Sequence, residues 1–146
     1  MIQIQLSEKD IRSFPQGVAG AEVAESISLS LRKKAIAVSW QDQIRDLNRP
    51  LEQDGQLRIL TPDDPESLEV LRHSAAHLLA EALKILYPHA TFGVGPTIED
   101  GFYYDVDLGD VVLSDQSLPE IEKLMAKLAS ANETFKRSVV TQAEAL

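Results

Sequence analysis

The central stretch of the chain reads Arg72-His73-Ser74-Ala75-Ala76-His77-Leu78-Leu79-Ala80-Glu81-Ala82-Leu83-Lys84-Ile85-Leu86-Tyr87. It contains neither glycine nor proline, and Pro65 and Pro88 bracket it, which predicts a helix that ends near Tyr87. At about 100° per residue, one stripe of this helix is apolar. The stripe comprises Leu68, Leu71, Ala75, Leu78, Leu79, Ala82, Ile85 and Leu86. The stretch therefore predicts a long amphipathic helix that packs along this stripe.

Two histidines, His73 and His77, lie four residues apart and therefore share one face of the predicted helix. The same rotation per residue places that face roughly opposite the apolar stripe, beside small residues such as Ser74. The pair fits a solvated or locally hydrogen-bonded arrangement, and it also fits a site whose neutral imidazoles accept or relay a proton near pH 7. A zinc-protease helix is excluded, because it needs Glu directly after the first histidine. The spacing leaves the first two interpretations open.

The composition is typical of a globular protein, with 44% hydrophobic and 25% charged residues among 146. Cysteine is absent, which excludes disulfides, thiolate metal sites and a thiol nucleophile. No apolar run approaches the roughly 20 residues of a membrane span. The first residues, Met1 to Leu6, lack the basic stretch and apolar core of a signal peptide. We therefore expect no membrane partner and a cytoplasmic location.

The net negative charge is confined to the second part of the chain. Residues 1–62 contain 8 acidic and 8 basic residues, whereas residues 63–146 contain 15 acidic and 6 basic residues. This contrast favours two modules, of which the second is by itself a poor binder of a nucleic-acid backbone. The basic cluster Arg32-Lys33-Lys34 is more often a helix end than an RNA contact, because cations there complement the helix dipole.

Residues 1–62 predict several strands and one helix. The strands are predicted at residues 2–6, 11–14, 35–40, 44–47 and 57–60. Apolar residues spaced by four predict a helix from about Ala21 through Leu31, with a poor N-cap because Ala19 and Gly20 offer no side-chain acceptor. This order of elements predicts an α+β sheet with the helix on one face.

Residues 61–66 predict an exposed connector, in which Asp64 is the N-cap and Pro65 the first residue of the helix. After the helix, a hairpin is predicted around Asp100-Gly101. The glycine patch at residues 93–95 lacks the lysine of a P-loop, so backbone geometry is the better reason for its glycines.

The last part of the chain contains two capping boxes. The first, at residues 117–120, predicts a helix with an apolar face. Residues 135–140 predict a further strand. The second capping box, at residues 141–144, predicts the start of a helix, but the chain stops two residues later. We therefore expect a truncated chain.

Two motifs combine in this sequence: His73-Ser74-Ala75-Ala76-His77-Leu78-Leu79 and Gly95-Pro96-Thr97-Ile98-Glu99-Asp100-Gly101-Phe102-Tyr103-Tyr104-Asp105-Val106. Together they resemble the editing domain of threonyl-tRNA synthetases, which alanyl-tRNA synthetases share in variant form. Residues 1–62 resemble a TGS domain, a ubiquitin-like β-grasp module. The resemblance implies a TGS domain at residues 1–62 and the amino-terminal part of an editing domain at residues 63–146.

The resemblance also implies hydrolytic editing of mischarged seryl-tRNA. It implies His73 and His77 as catalytic residues, and Gly95, Pro96 and Tyr104 as substrate-binding residues. Two imidazoles are too few ligands for a tight zinc site, so we expect no metal site and no cofactor in this chain. The resemblance implies ATP, Mg and Zn in the catalytic core of the full synthetase. The expected partner is the acceptor arm of tRNA, and the full synthetase is expected to be a homodimer through domains outside these residues.

Two departures from the family pattern affect these expectations. Residues 7–10 replace the Asp-Gly turn that usually joins the first two strands of a TGS domain, a change that a loop tolerates. The downstream Cys-x-x-x-His of the family's editing site is missing, so we expect this chain alone to be inactive.

Editing has a physical reason in this family. Serine lacks one methyl group of threonine, and such a difference gives only ~1–3 kcal/mol of discrimination. A second site that hydrolyses the wrong ester corrects the remaining errors, and histidines there can position or activate water. Two alternatives stay open: a TGS-containing regulatory or RNA-docking protein without catalysis, and a free-standing editing hydrolase.

Overall fold

A computed structural model describes all 146 residues of the chain, Met1 to Leu146. The residues form two compact units, Met1–Ser74 and Ala75–Leu146. None of the helices combines the length and apolar character that crossing a bilayer requires.

The first unit is built on a mixed sheet. Its strands are β1 (Ile2–Ser7), β2 (Asp10–Phe14), β3 (Val18–Ala19), β4 (Ala37–Trp40), β5 (Gln43–Arg45), β6 (Pro50–Leu51) and β7 (Gly55–Leu60). Five of them form one sheet in the order β2-β1-β7-β4-β5, while β3 pairs with β6. β1 and β7 are parallel, and the other neighbours are antiparallel. The first and last strands therefore lie side by side at the centre of the sheet, which confirms the predicted α+β, β-grasp architecture.

The core of this unit lies on one face of the sheet. Alternation along β1 buries Ile2 and Ile4, as predicted. The buried cluster comprises Ile2, Ile4, Val18, Val23, Val38, Trp40, Leu51 and Leu57. Trp40 is 1% exposed, and a Cβ added to Gly55 would lie 2.6 Å from its ring carbons. Glycine is therefore required at the start of β7 because the indole ring occupies the place of a side chain.

Two short helices, α1 (Gly20–Ile27) and α2 (Leu29–Lys34), occupy the place of the single predicted helix. The prediction was wrong at Ser28, whose extended backbone ends α1. The Ser28 hydroxyl then accepts a hydrogen bond from the Leu31 N–H at 3.0 Å and caps α2. The basic cluster at residues 32–34 lies in the last turn of α2, which confirms its interpretation as a helix end.

An ion-pair network links β7 to the start of α3 (Pro65–Leu86). Arg58 on β7 contacts the Asp64 carboxylate at 3.1 Å and also pairs with Glu66. The Asp64 Oδ2 atom accepts hydrogen bonds from the N–H and the hydroxyl of Thr61, at 2.7 and 3.2 Å. The Thr61 N–H is the main cause of a lowered pKa at Asp64, and the Arg58 guanidinium is the main cause of a lowered pKa at Glu66. The connector is therefore a hydrogen-bonded turn, and the predicted helix start at Pro65 is confirmed.

The buried face of α3 differs from the predicted stripe. Leu68, Leu71 and Ile85 belong to that stripe, yet each is about half exposed. Ala76 and Leu83 lie outside it and are 2% and 3% exposed. Periodicity defines an apolar stripe, but burial depends on which part of the helix other elements cover. In the second unit the covered part faces α4 and the hairpin described next.

The second unit contains a hairpin and two further helices. Its elements are β8 (Thr91–Phe92), β9 (Thr97–Ile98), β10 (Gly101–Phe102), β11 (Val106–Asp107), α4 (Leu118–Ala131) and α5 (Gln142–Ala145). β9 pairs with β10 and β8 with β11, both antiparallel, which confirms the predicted hairpin around Asp100-Gly101. Ala82, Leu83 and Ile121 form its buried cluster, so α3 and α4 share a core.

Two predictions for the end of the chain were wrong. Ser117 precedes α4 with a helical backbone (φ −79°, ψ −26°) and makes no side-chain cap, because its hydroxyl lies near Ser114 instead. Residues 135–140 form no strand, and Phe135 and Val139 are about four-fifths exposed. The second capping box is confirmed: the Thr141 and Glu144 side chains each accept a hydrogen bond from the other residue's N–H.

The contact between Trp40 and Gly55 predicts a large effect of one methyl group. We expect Gly55→Ala to lower the free energy of unfolding by about 1–3 kcal/mol, because the new Cβ would overpack against the ring. Trp40 is the single tryptophan, so urea unfolding followed by its fluorescence reports on this unit. The neighbouring exposed residue provides the control: Gln56→Ala should change stability by no more than ~0.5 kcal/mol. Equal midpoints for the two variants would contradict the role of Gly55.

The Arg58 network predicts a pH dependence of stability. Asp64 and Glu66 have pKa values below their ordinary 3.8 and 4.5, so their contribution is present above those values and is lost as the pH falls below them. Urea midpoints from Trp40 fluorescence should therefore fall more steeply in the wild type than in Arg58→Ala when the pH is lowered through this range. Arg49→Ala, which removes an exposed arginine outside the network, should keep the wild-type slope. An unchanged slope in Arg58→Ala would refute the assignment.

Candidate functional site

The two predicted catalytic histidines, His73 and His77, lie on α3, and both are exposed. Four residues along a helix correspond to little more than one turn, so the two positions are neighbours on its surface. Imidazoles that water reaches can accept or relay a proton near neutral pH. The structure places the pair on the predicted helix, and the catalytic role of the pair stays a prediction.

The predicted substrate-binding residues lie in the hairpin of the second unit. Gly95 and Pro96 fall between β8 and β9, and Tyr104 falls between β10 and β11. Two backbone hydrogen bonds flank them: Asp105 N–H to the Val94 carbonyl at 3.0 Å, and Tyr103 N–H to the Pro96 carbonyl at 3.1 Å. These bonds continue the hairpin across its interruption, so Gly95 and Tyr104 face each other. The structure brings these three residues together, on a different element from the histidines.

The half-buried ring of Tyr104 is held on two sides. Phe92 packs against it in a T-shaped arrangement, with ring centroids 5.5 Å apart and an interplanar angle of 77°. On the same arm of the hairpin as Phe92, a Cβ added to Gly95 would lie 2.8–3.0 Å from three ring carbons, Cδ2, Cε2 and Cγ. Phe92 therefore belongs to this cluster, although our sequence analysis did not assign it to the site. The sequence did contain a signal for this contact, because the predicted hairpin places the aromatic residue Phe92 opposite the aromatic run at residues 102–104.

Backbone geometry does not explain the glycine patch, so that interpretation was wrong. The positive-φ glycines of the chain are Gly17, Gly101 and Gly109, and neither Gly93 nor Gly95 is among them. A Cβ at Gly93 would lie 3.2 Å from the Asp105 Cβ, and one at Gly95 would meet the Tyr104 ring. Neighbouring side chains therefore approach the backbone of both glycines closely, and at Gly95 the approach leaves no room for a Cβ unless the ring moves.

A shallow groove of about 450 Å³ lies along the outer part of the hairpin. Its lining residues are Thr91, Phe92, Gly93, Asp105, Val106 and Asp107. None of the predicted site residues lines it; it adjoins Tyr104 through Phe92. The lining combines apolar surface with two carboxylates, a combination that our sequence analysis did not single out.

Groups of three metal-ligating side chains do not occur in the structure. The helix α3 supplies two exposed imidazoles, His73 and His77.

Comparison with known proteins gives two consistent results. The TGS domain family matches residues 2–61. Residues 2–61 are a TGS domain. Over 145 residues the chain is 47% identical to a threonine–tRNA ligase of Acholeplasma laidlawii, and the match covers 99% of the chain and 23% of that ligase. It is 49% identical over 144 residues to a threonine–tRNA ligase of Staphylococcus carnosus, and this match covers 99% of the chain and 22% of the ligase.

A third ligase, from Streptococcus pyogenes, is 47% identical over 146 residues, which are 100% of the chain and 23% of the ligase. The chain is therefore homologous, along nearly its whole length, to the amino-terminal region of threonine–tRNA ligases, and it spans less than a quarter of their length. The match to the TGS domain ends at residue 61, and the division between the compact units follows Ser74. The domain boundary after residue 62 stays a prediction.

Outside the TGS domain, the histidine pair predicts no tight zinc site. Structural zinc usually takes four protein ligands and catalytic zinc three, whereas α3 supplies two imidazoles. After incubation with one equivalent of zinc and dialysis, elemental analysis should find no stoichiometric metal in the chain. Retention of one zinc per chain, lost in His77→Ala, would contradict this prediction.

Proposed function

We propose that this chain is the amino-terminal region of a threonine–tRNA ligase, and that it contributes to tRNA binding and to hydrolytic editing of mischarged seryl-tRNA. The observation that carries the proposal is the identity of 47–49% to such ligases over 99% of the chain. Identity of this extent includes the histidine helix and the hairpin as well as the TGS domain, and it favours the ligase over the two alternatives given above.

In the proposed reaction, water attacks the carbonyl carbon of the ester that joins serine to the terminal ribose. The ester bond breaks, serine and free tRNA leave, and the proton from the water passes to the ribose oxygen. His73 and His77 accept or relay that proton, a task for which exposed imidazoles are suited near neutral pH. Gly95, Pro96 and Tyr104 form a wall against the substrate.

The proposal also covers the ligase as a whole. We expect ATP, Mg and Zn to be bound by its catalytic core, outside residues 1–146, and the ligase to act as a cytoplasmic homodimer. The acceptor arm of tRNA is the part that must reach the editing site, because it carries the esterified amino acid. The chain has no cysteine, whereas the family's editing site includes a Cys-x-x-x-His, so residues 1–146 alone should not hydrolyse seryl-tRNA.

The decisive experiment is deacylation of seryl-tRNA by the ligase that carries this region. General acid–base help is typically worth 10²–10⁴-fold, so we expect His73→Ala and His77→Ala each to slow deacylation by about that range. Aminoacylation with threonine should persist, because synthesis and editing use different sites.

The third histidine provides a matched control. His89 is exposed like the pair but lies beyond the end of α3, so His89→Ala should deacylate seryl-tRNA at the wild-type rate. Wild-type rates in both His73→Ala and His77→Ala would show that the pair is only a solvated feature of the helix surface. A ligase whose wild type leaves seryl-tRNA intact would refute the editing role as a whole.

A further inference from the structure

Among the glycines of the hairpin, Gly95 has the least space for a side chain. An added Cβ would lie 2.8 Å from Cδ2 of Tyr104 and 3.0 Å from both Cε2 and Cγ. Real Cβ atoms essentially never approach a heavy atom below 3.0 Å. The Gly95 φ angle lies outside the left-handed region, so backbone conformation alone would accept alanine there. The Tyr104 ring is therefore the reason for glycine at this position.

Other contacts also constrain the ring. Phe92 packs against it in a T-shaped arrangement, and the backbone on either side of Tyr104 is hydrogen-bonded to the facing segment, through Tyr103 and Asp105. With the backbone fixed, a Cβ at position 95 displaces the ring by rotating Tyr104 about its side-chain torsions. The absence of a side chain at Gly95 and the contact with Phe92 thus together favour the observed orientation of the Tyr104 ring.

We propose that Gly95 is a positioning residue, whose missing side chain seats the Tyr104 ring in the orientation that editing requires. This inference rests on the proposed function, in which Tyr104 lies against the substrate. Besides its place in the proposed wall, Gly95 then acts through Tyr104, because a Cβ at this position would meet the ring. A displacement of about 1 Å in such a site can cost 10²-fold in rate.

A double-mutant cycle in the 146-residue chain tests whether Gly95 and the Tyr104 ring interact. The variants are Gly95→Ala, Tyr104→Ala and the double variant, and the readout is hydrogen exchange at the Tyr103 and Asp105 amides, which flank the ring. We expect Gly95→Ala to reduce protection of these amides by about tenfold, because overpacking destabilises the local structure. In the Tyr104→Ala background the ring is gone, so the same substitution should leave protection unchanged. Equal losses in both backgrounds would overturn the proposal.

The same cycle in the ligase tests the functional part. Gly95→Ala should lower kcat/KM for seryl-tRNA deacylation by about 10- to 100-fold, and it should have no further effect once Tyr104 is alanine. A purely structural role would reduce amide protection and leave deacylation at the wild-type rate, and that result would also overturn the proposal.

Gly93→Ala is the matched control, because its Cβ would be tight against Asp105, at 3.2 Å, but would not touch the ring. Its effects on exchange and deacylation should therefore be the same with and without the Tyr104 ring. If the wild-type ligase fails to deacylate seryl-tRNA, the proposed function is refuted and the positioning role with it. If the wild type deacylates and Gly95→Ala does so equally well, only the positioning role is refuted.

Discussion

The parallel pairing of β1 with β7 is the contact on which the first unit depends. It places Ile4 beside Gly55 and so brings the first strand of the TGS domain against the last, with the intervening chain returning to either side. Because β7 is paired along both edges, it has to satisfy two neighbours at once. Its first residue must leave room for Trp40, and Arg58 further along it binds the turn before α3. The strand β7 thus takes part in the sheet, in the core and in the turn that leads to α3.

The second unit is held by fewer buried residues. Its core cluster has three buried members, against eight in the first unit. Its hairpin is held instead by backbone hydrogen bonds and a T-shaped aromatic contact, and two glycines leave room for close side chains. Such local contacts are individually weak, and segments built from them are the first to open in a folded protein. A site built here gains mobility and depends strongly on single contacts.

The sequence predicted those elements whose pattern and surroundings agree. Alternation along β1 matched a strand with one buried face, and Asp100-Gly101 matched a hairpin turn. It also placed the histidines on one helix and the substrate-binding residues in one hairpin, although their roles remain predictions. The interruption at Ser28 was missed because the apolar spacing continues through it, whereas the backbone turns there to cap a second helix.

Other features could not be read from one sequence, because they depend on partners distant along the chain. The apolar stripe of α3 was visible, but the elements that cover it decide which positions are buried, and these left Leu71 half exposed. Residues 135–140 have the composition of a strand but no neighbouring strand to pair with. A glycine gives the same signal whether it serves an unusual φ angle or a close neighbour, so the contact between Gly95 and Tyr104 required coordinates.

The turn between β7 and α3 has a consequence for exchanging modules between proteins. Arg58, Thr61, Asp64 and Glu66 interact across fixed separations along the chain, so these contacts depend on the length of the turn. A residue added to or deleted from this turn would change the separation between Arg58 and its acidic partners and between Thr61 and Asp64. A chimera that grafts this helix onto another TGS domain therefore needs the whole segment from residue 58 to residue 66, because a junction inside it would separate these partners.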